Sequence, residues 1–280
     1  MYHRVVGHAG QKEVLMVQHR YPEHALFIES AERFREEVLD PYVDEWEDLG
    51  YFPDNVFKSF ADQGFLGMLL PEEYGGVGGD YRLAASWCEV FGEVRSTGLV
   101  VALAMHALVI THAIARYGSE STKKRILPPS MSGDLIGAYA FTEPGAGSDL
   151  ANLRTKAEFK NGKWILNGTK IFITNGARSH YVLVLARTDP TAGYKGFTTF
   201  VVDTSSPGFT VNRTLDKLGW LSSDTAELFF DNVEVDPVDV LGEVGAGWTQ
   251  ASNNLSWERL MLSLVTLGGM RAAYRELSNY

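Results

Sequence analysis

The hydrophobic period of the sequence changes near Ile136, and this change limits the fold more than any other feature. Before it, apolar residues recur at steps of three and four, as Phe27, Ala31 and Phe34 do. After it, short runs alternate between apolar and polar residues. Steps of three to four predict helices, and alternation predicts strands. Helices followed by strands predict an α+β multi-domain protein, because an α/β protein would interleave the two.

The first block predicts an all-α domain. Its candidate helices cover residues 23–39, 54–64, 82–94, 99–115, and a segment that Ser121 caps and that Pro128 and Pro129 end. The segment 99–115 is almost continuously apolar but contains His106 and His112, so it predicts a buried helix and not a membrane span. These histidines are six residues apart and do not share a helical face, so no metal site is predicted.

The second block predicts short strands joined by tight turns. The candidates are residues 154–159, 164–167, 170–174, 181–187, 198–202 and 228–230. Asn161-Gly162 is a strong hairpin signal, and Asn175-Gly176 marks a second turn. Strands without intervening helices predict an antiparallel sheet or barrel rather than a Rossmann unit.

Composition excludes several classes of function. The net charge is -10 and no cluster of Lys or Arg occurs, which argues against binding of nucleic acid or of an anionic membrane. A single cysteine, Cys88, cannot form an internal disulfide. Residues 1–20 lack the apolar core of a signal peptide, so the expected location is cytoplasmic.

A polar loop follows the first strand of the second block. Residues 142–149 read Thr-Glu-Pro-Gly-Ala-Gly-Ser-Asp. Gly145 and Gly147 allow successive amides to converge on an anion, and Ser148 adds a hydroxyl. The same residues also suit an ordinary wide turn, and the loop alone does not decide between the two.

This loop resembles the first signature of the acyl-CoA dehydrogenase family. Residues 170–176, 216–220 and 223–228 are similar to further family segments in the same order, and the resemblance covers roughly residues 20 to 280. It implies an N-terminal extension (1–21), an all-α domain (22–134) and a flavin-binding β domain (135–241). It also implies the first helix of a C-terminal helical bundle (242–280), most of which the chain is expected to lack.

The resemblance also implies FAD as cofactor and assigns residues to it. Tyr139, Ala140, Phe141 and Thr142 would line the isoalloxazine ring, and Gly147 and Ser148 would meet the cofactor, with Ser148 also meeting the acyl-CoA. Phe172, where many relatives have Trp, would stack on the ring, and Ile173 and Thr174 would lie beside it. Without the resemblance, the aromatic side chains would be interpreted as ordinary core residues and the threonines as ordinary strand residues.

A helix is predicted over residues 254–278, and it carries the candidate base. By resemblance to the long-chain and isovaleryl branch, Glu258 is the catalytic base, and Ser256 and Arg259 border the substrate. Relatives often have Asp at the position of Ser256. The alternative for Glu258 and Arg259 is a solvated or salt-bridged pair.

The implied function is that of an FAD-dependent oxidoreductase of fatty acid β-oxidation. An acyl-CoA would be oxidised to trans-2-enoyl-CoA, with electron-transfer flavoprotein as electron acceptor and a homodimer or homotetramer as the assembly. One alternative keeps the fold but makes the chain an acyl-CoA oxidase, a nitroalkane oxidase-like enzyme or a flavin monooxygenase. Another is a non-catalytic remnant that binds acyl-CoA or a full-length relative.

Overall fold

The first half of the protein is helical, as the sequence predicts. A computed structural model describes residues 24–280, so the expected extension and the predicted helix start at residue 23 lie outside it. The helices are α1 (Ala25–Phe34), α2 (Val43–Leu49), α3 (Asn55–Asp62), α4 (Tyr81–Phe91), α5 (Thr97–Ala104), α6 (Thr111–Tyr117) and α7 (Glu120–Met131). A π-helical segment, Arg35–Leu39, extends α1, and another, Met105–Ile110, joins α5 to α6.

The predicted limits of α7 are wrong at both ends. The N-cap is Ser119, whose extended backbone lets its hydroxyl accept a hydrogen bond from the Thr122 amide, whereas Ser121 already lies within the helix. The helix also continues through Pro128 and Pro129 to Met131. Tertiary contacts hold this last turn, because the Ser130 carbonyl accepts a hydrogen bond from His106.

The segment from Thr97 to Tyr117 is a core helix. Its length and composition would allow it to cross a membrane, but most of it is buried inside the fold, as predicted. The helical core around it is rich in aromatic residues. Phe60, for example, packs at 4.8 Å between ring centroids against Phe91 of α4. Trp87 lies 4.7 Å from the same Phe91 ring.

The second half forms one curled sheet. Its strands are β1 (Gly137–Ala140), β2 (Lys156–Lys160), β3 (Lys163–Thr174), β4 (Tyr181–Arg187), β5 (Phe197–Asp203), β6 (Phe209–Thr214) and β7 (Thr225–Val235). Their order is β1-β4-β2-β3-β7-β6, and β5 pairs with β4. The predicted fold class is confirmed, but the sheet is mixed and not purely antiparallel. The reason is that β1 pairs in parallel with β4, and β2 meets β4 in parallel at Lys156 and Arg187.

Two strand predictions need correction. Residues 164–167 and 170–174 belong to the single strand β3, whose register against β7 shifts twice. The strand β6 is absent from the predictions, since only Phe209 and Val211 alternate there before three polar, exposed residues. The Asn161-Gly162 hairpin is confirmed, and both residues take the positive φ that this turn requires.

A long helix, α8 (Gly247–Asn279), ends the described chain and packs against α4. Gly92 and Gly268 allow the two backbones to touch, because a Cβ on Gly268 would lie 2.8 Å from the Gly92 carbonyl carbon. Arg271 pairs with Glu89 at 2.6 Å, and Arg275 pairs with Glu93. These contacts fix the position of α8, and therefore of Glu258, relative to the helical domain.

Candidate functional site

The candidate cofactor surface forms where β1 ends beside an irregularity in β3. The amide of Ile171 donates to the carbonyl of Thr142 at 2.9 Å, which joins the two segments. The pairing of β3 with β7 shifts between Lys170 and Ile173, and Phe172 there adopts φ +64. The ring of Phe172 is 64% exposed as a result. The bulge therefore presents an aromatic face to solvent that a regular strand would turn into the sheet.

A buried ion pair supports this surface from behind. The Lys170 ammonium donates to Glu143 Oε1 and to the Phe141 carbonyl, each at 2.9 Å. Glu143 also accepts hydrogen bonds from the amides of Arg154 and Thr155. This pair is not predicted by the sequence patterns described above. A lysine at an inward position of a strand was the available signal, because a buried lysine requires a partner.

The predicted cofactor residues differ in how much of each is accessible. Phe172, Gly147 and Ser148 are exposed; Phe141, Thr142 and Thr174 are half-buried; Tyr139, Ala140 and Ile173 are buried. The buried side chains of Ala140 and Ile173 lie in the core of the sheet, so these two residues offer a ligand only their backbone.

Polar groups on this surface are free to bind a ligand. Within residues 24–280, the hydroxyls of Thr142, Ser148 and Thr174 make no hydrogen bond. A Cβ on Gly147 would meet no atom within 4 Å, so its backbone is open to approach. An exposed aromatic ring, free hydroxyls and an open glycine loop fit a flat, polar ring system with an anionic tail.

Glu258 lies on α8 opposite β1. One turn earlier, the Asn254 side-chain amide donates to the Tyr139 hydroxyl at 3.2 Å, which ties α8 to β1. Glu258 Oε1 is buried and has no hydrogen-bond partner in the described part of the chain. Burial raises the pKa of Glu258 to about 7, although the charge of Arg259 opposes the shift.

The other residues predicted near the substrate are more exposed. Arg259 and Ser256 are both exposed, and the Ser256 hydroxyl donates to the Ser252 carbonyl at 3.4 Å. No ion pair joins Glu258 to Arg259 within residues 24–280. The salt bridge that the alternative interpretation allows for Glu258 and Arg259 is therefore not present in the described residues.

The core histidine His106 has a structural role. Its Nε2 donates to the Ser130 carbonyl at 3.0 Å, and its Nδ1 accepts from the Gly137 amide at 3.1 Å. Burial lowers the pKa of His106 to about 4, so the ring is neutral. One nitrogen links the core helix to α7 and the other links it to β1, and no group of potential metal ligands occurs in residues 24–280.

A cavity of about 500 Å³ lies away from these residues, near the end of α2. Lys217, on its wall, donates to the Ser223 carbonyl and to the Ser223 and Thr225 hydroxyls. Glu47, also on its wall, accepts from the Ser96 and Ser222 hydroxyls. Because these two charged groups are hydrogen-bonded within the protein, neither is free to bind a ligand in this cavity.

The structure combines a helical block, a sheet that carries the open strand-and-loop surface, and a long helix that carries Glu258. This arrangement suits the binding of a flat cofactor. Two family models match the chain in this order. The model for the acyl-CoA dehydrogenase N-terminal domain matches residues 21–134, and the model for the middle domain matches residues 138–233. The chain belongs to the acyl-CoA dehydrogenase family.

Curated relatives agree with this assignment. An acyl-CoA dehydrogenase of Bacillus subtilis is 37% identical over 94% of this chain and 69% of its own length. The mitochondrial long-chain specific acyl-CoA dehydrogenase of Sus scrofa is 38% identical over 92% of this chain and 60% of its own length. The chain thus spans between 60% and 69% of the length of these two relatives.

Solved structures show the same fold. The acyl-CoA dehydrogenase of Geobacillus kaustophilus aligns with a TM-score of 0.88 at 36% identity, over 92% of this chain and 68% of that one. A glutaryl-CoA dehydrogenase of Mycobacterium smegmatis, solved in complex with FADH2, aligns with a TM-score of 0.85 at 32% identity. That alignment covers 92% of this chain and 65% of the other.

Proposed function

We propose that this chain carries the FAD site and the catalytic base of an acyl-CoA dehydrogenase that oxidises an acyl-CoA to trans-2-enoyl-CoA. The observation that carries the proposal is Glu258. A buried carboxyl with a pKa of about 7 and a free Oε1 suits a general base at neutral pH. A carboxylate with solvated or salt-bridged oxygens would be a weaker base.

The cofactor residues act by binding and orientation. Phe172 would stack on one face of the ring system, and the hydroxyls of Thr142 and Thr174 would donate to its polar edge. The open loop at Gly147 and Ser148 would contact the anionic part of the cofactor or of the acyl-CoA. FAD bound in this way supplies the acceptor for the β-hydride.

The base acts on the α-carbon of the thioester. In its carboxylate form, Glu258 removes the α-proton and holds it on a buried oxygen while the β-hydrogen leaves as hydride. Ser256 and Arg259, exposed on the same helix, would border the substrate. From the resemblance alone, we further propose electron-transfer flavoprotein as electron acceptor, a homodimer or homotetramer, and a cytoplasmic location.

An anaerobic titration tests the proposal. The purified chain is loaded with FAD and then titrated with saturated acyl-CoAs of different lengths while the flavin absorbance is followed. We expect bleaching with the wild type and none with Glu258→Gln. Glu276→Gln changes an exposed glutamate on the same helix and should bleach like the wild type.

Other outcomes distinguish the alternatives. Bleaching that survives in Glu258→Gln would remove Glu258 as base. A chain that takes up no FAD would favour the non-catalytic remnant. Fast reoxidation of the bleached flavin by oxygen would favour an oxidase or a monooxygenase over a dehydrogenase.

A further inference from the structure

β1 carries an unused hydrogen-bond donor, and α8, which contacts β1 through Asn254, carries an unused acceptor. The Tyr139 hydroxyl accepts a hydrogen bond from Asn254 and has no acceptor for its own proton within residues 24–280. Glu258 Oε1 is buried and has no donor. Tyr139 is 8% exposed and Asn254 is 4% exposed, so water does not readily replace either partner.

We propose that the Tyr139 hydroxyl donates to the Glu258 carboxylate whenever that carboxylate is charged, and that Asn254 orients the hydroxyl for this bond. Tyr139 and Asn254 are then positioning residues for the base. This inference rests on the proposed function only in treating Glu258 as that base. The hydrogen bond itself is a property of the chain without cofactor or substrate.

The geometry of α8 supports the arrangement. Asn254 and Glu258 are four residues apart, so their side chains lie on the same helical face, one above the other. A phenol has one proton to donate and two lone pairs to accept with. Because Asn254 occupies an acceptor position, the phenol proton remains for another group, and Glu258 is the neighbour on the next turn.

The charged and titratable groups near Tyr139 and Glu258 are compatible with Tyr139 as the hydrogen-bond donor to Glu258. Burial raises the pKa of Tyr139, and the negative charge of Glu258 raises it further. The two groups therefore interact electrostatically, and the phenol stays protonated. Arg259 also acts on Glu258, but it lies on the exposed side of α8. Tyr117, on α6, interacts electrostatically with Tyr139. Its hydroxyl accepts a hydrogen bond from the Asn253 side-chain amide at 3.5 Å.

The other charged or titratable residues of α6 are His112 and Arg116, and the Arg116 guanidinium lies over the Tyr117 ring. His112 is the one that packs towards Trp257. It accepts or donates a hydrogen bond with the Tyr81 hydroxyl at 3.0 Å, and Tyr81 packs on Trp257 beside Glu258. Burial lowers the pKa of His112 to about 4, so its ring stays neutral while Glu258 titrates. Its protonation state therefore does not change in the range in which the proposed bond forms.

The proposed bond has a catalytic consequence. A donor that binds only the charged form lowers the pKa of a buried carboxyl towards the working range. It also holds one carboxylate oxygen in place, which leaves the other oxygen to face the α-proton. Without Tyr139, a larger share of Glu258 would be protonated at neutral pH and inactive as a base.

Carbon-13 NMR of the cofactor-free protein tests the proposal. Glutamate labelled at the side-chain carboxyl reports the pKa of Glu258, and Glu258→Gln identifies its signal. We expect Tyr139→Phe to raise this pKa by about one unit, because the charged form loses a donor. Tyr117→Phe removes a hydroxyl bonded to the adjacent Asn253 and should leave the pKa unchanged.

A second measurement requires no substitution. Tyrosine labelled at Cζ should show the Tyr139 signal moving with the same midpoint as the Glu258 carboxyl, because the hydrogen bond exists only on the charged side. An unchanged Glu258 pKa in a folded Tyr139→Phe protein, or a Tyr139 signal indifferent to that titration, overturns the inference. Both readouts are independent of FAD and acyl-CoA, so a failed bleaching assay would count against the proposed function alone.

Discussion

Lys170 and Glu143 form an ion pair in which both side chains are buried, with Nζ 2.9 Å from Oε1. Burial lowers the pKa of Lys170 to about 8 in spite of its partner. For Glu143, burial favours a higher pKa, but Lys170 and the backbone amides outweigh it and the pKa is lowered. The pair joins β3 to the loop after β1, so it holds together the two segments of the candidate cofactor surface.

Removal of one partner should therefore destabilise the protein strongly. Lys170→Met leaves the Glu143 charge buried and unpaired, and we expect the free energy of unfolding to fall by about 3 kcal/mol. Urea unfolding at pH 7 measures it. Lys163→Met is the matched control, because Lys163 and Asp236 pair on the surface, where solvent screens the charges, and loss of that pair should cost far less. Equal losses in the two variants would contradict the role of the buried pair.

The charge of Glu258 should make the protein less stable as the pH rises. Its pKa is about 7 in the folded chain against an ordinary value of 4.5, so the folded state binds more protons between these limits. Stability contributed by the protonated carboxyl is present below pH 4.5 and lost as the pH passes 7. Glu258→Gln should stabilise the protein at pH 8 by on the order of 2 kcal/mol and change little at pH 4. Thermal unfolding at both pH values provides the comparison, and an equal effect at both would exclude the titration as its cause.

The same pKa predicts how activity depends on pH. If Glu258 is the base, the rate of flavin bleaching should rise about tenfold per pH unit below 7 and level off above it. Stopped-flow absorbance of the FAD-loaded protein measures this rate. A rate that is flat from pH 5.5 to 8.5 would mean that another group takes the proton.

Replacement of Phe172 by glycine should stabilise the fold and weaken cofactor binding. Because its φ of +64 is unfavourable for a side chain with a Cβ, Phe172→Gly should raise the free energy of unfolding by about 0.5 kcal/mol. The same change removes the stacking face and should weaken FAD binding about tenfold. Phe229→Gly, at an exposed phenylalanine of β7, should destabilise the chain and leave FAD affinity unchanged. Flavin fluorescence titration and urea unfolding separate the two effects.

His106 should contribute to loss of stability in acid. Its pKa is about 4 in the folded chain and 6.5 when exposed, so the unfolded state binds more protons between these values. Stability should fall as the pH drops from 6.5 towards 4, by on the order of 2 kcal/mol for this residue. The difference in free energy of unfolding between His106→Gln and the wild type, measured first at pH 7, should become smaller on acidification. His112 shifts in the same direction and remains in both proteins, so a difference that stays constant with pH would contradict the role of His106.

Local signals predicted much of the fold. The hairpin at Asn161 and Gly162 needs positive φ at both residues, a property of those residue types that requires no distant contact. The buried helix through His106 followed from a long apolar run, and the strand Tyr181–Arg187 followed from its apolar pattern; both are local signals. The ordered segments that resemble the family gave the fold class, and the family models confirmed the membership. The domain boundaries and the assigned site residues stay predictions.

The sequence by itself therefore determined the order of helices and strands, the tight turns and the family, because these depend on residues close together in the chain. Only the tertiary structure decided the parallel pairing of β1 with β4, the burial of Lys170 against Glu143 and the contact of Asn254 with Tyr139. Residues 139 and 254 lie far apart in sequence, and no local pattern encodes their meeting. It arises because packing of the whole chain places α8 across β1, and burial at that crossing gives Glu258 its raised pKa.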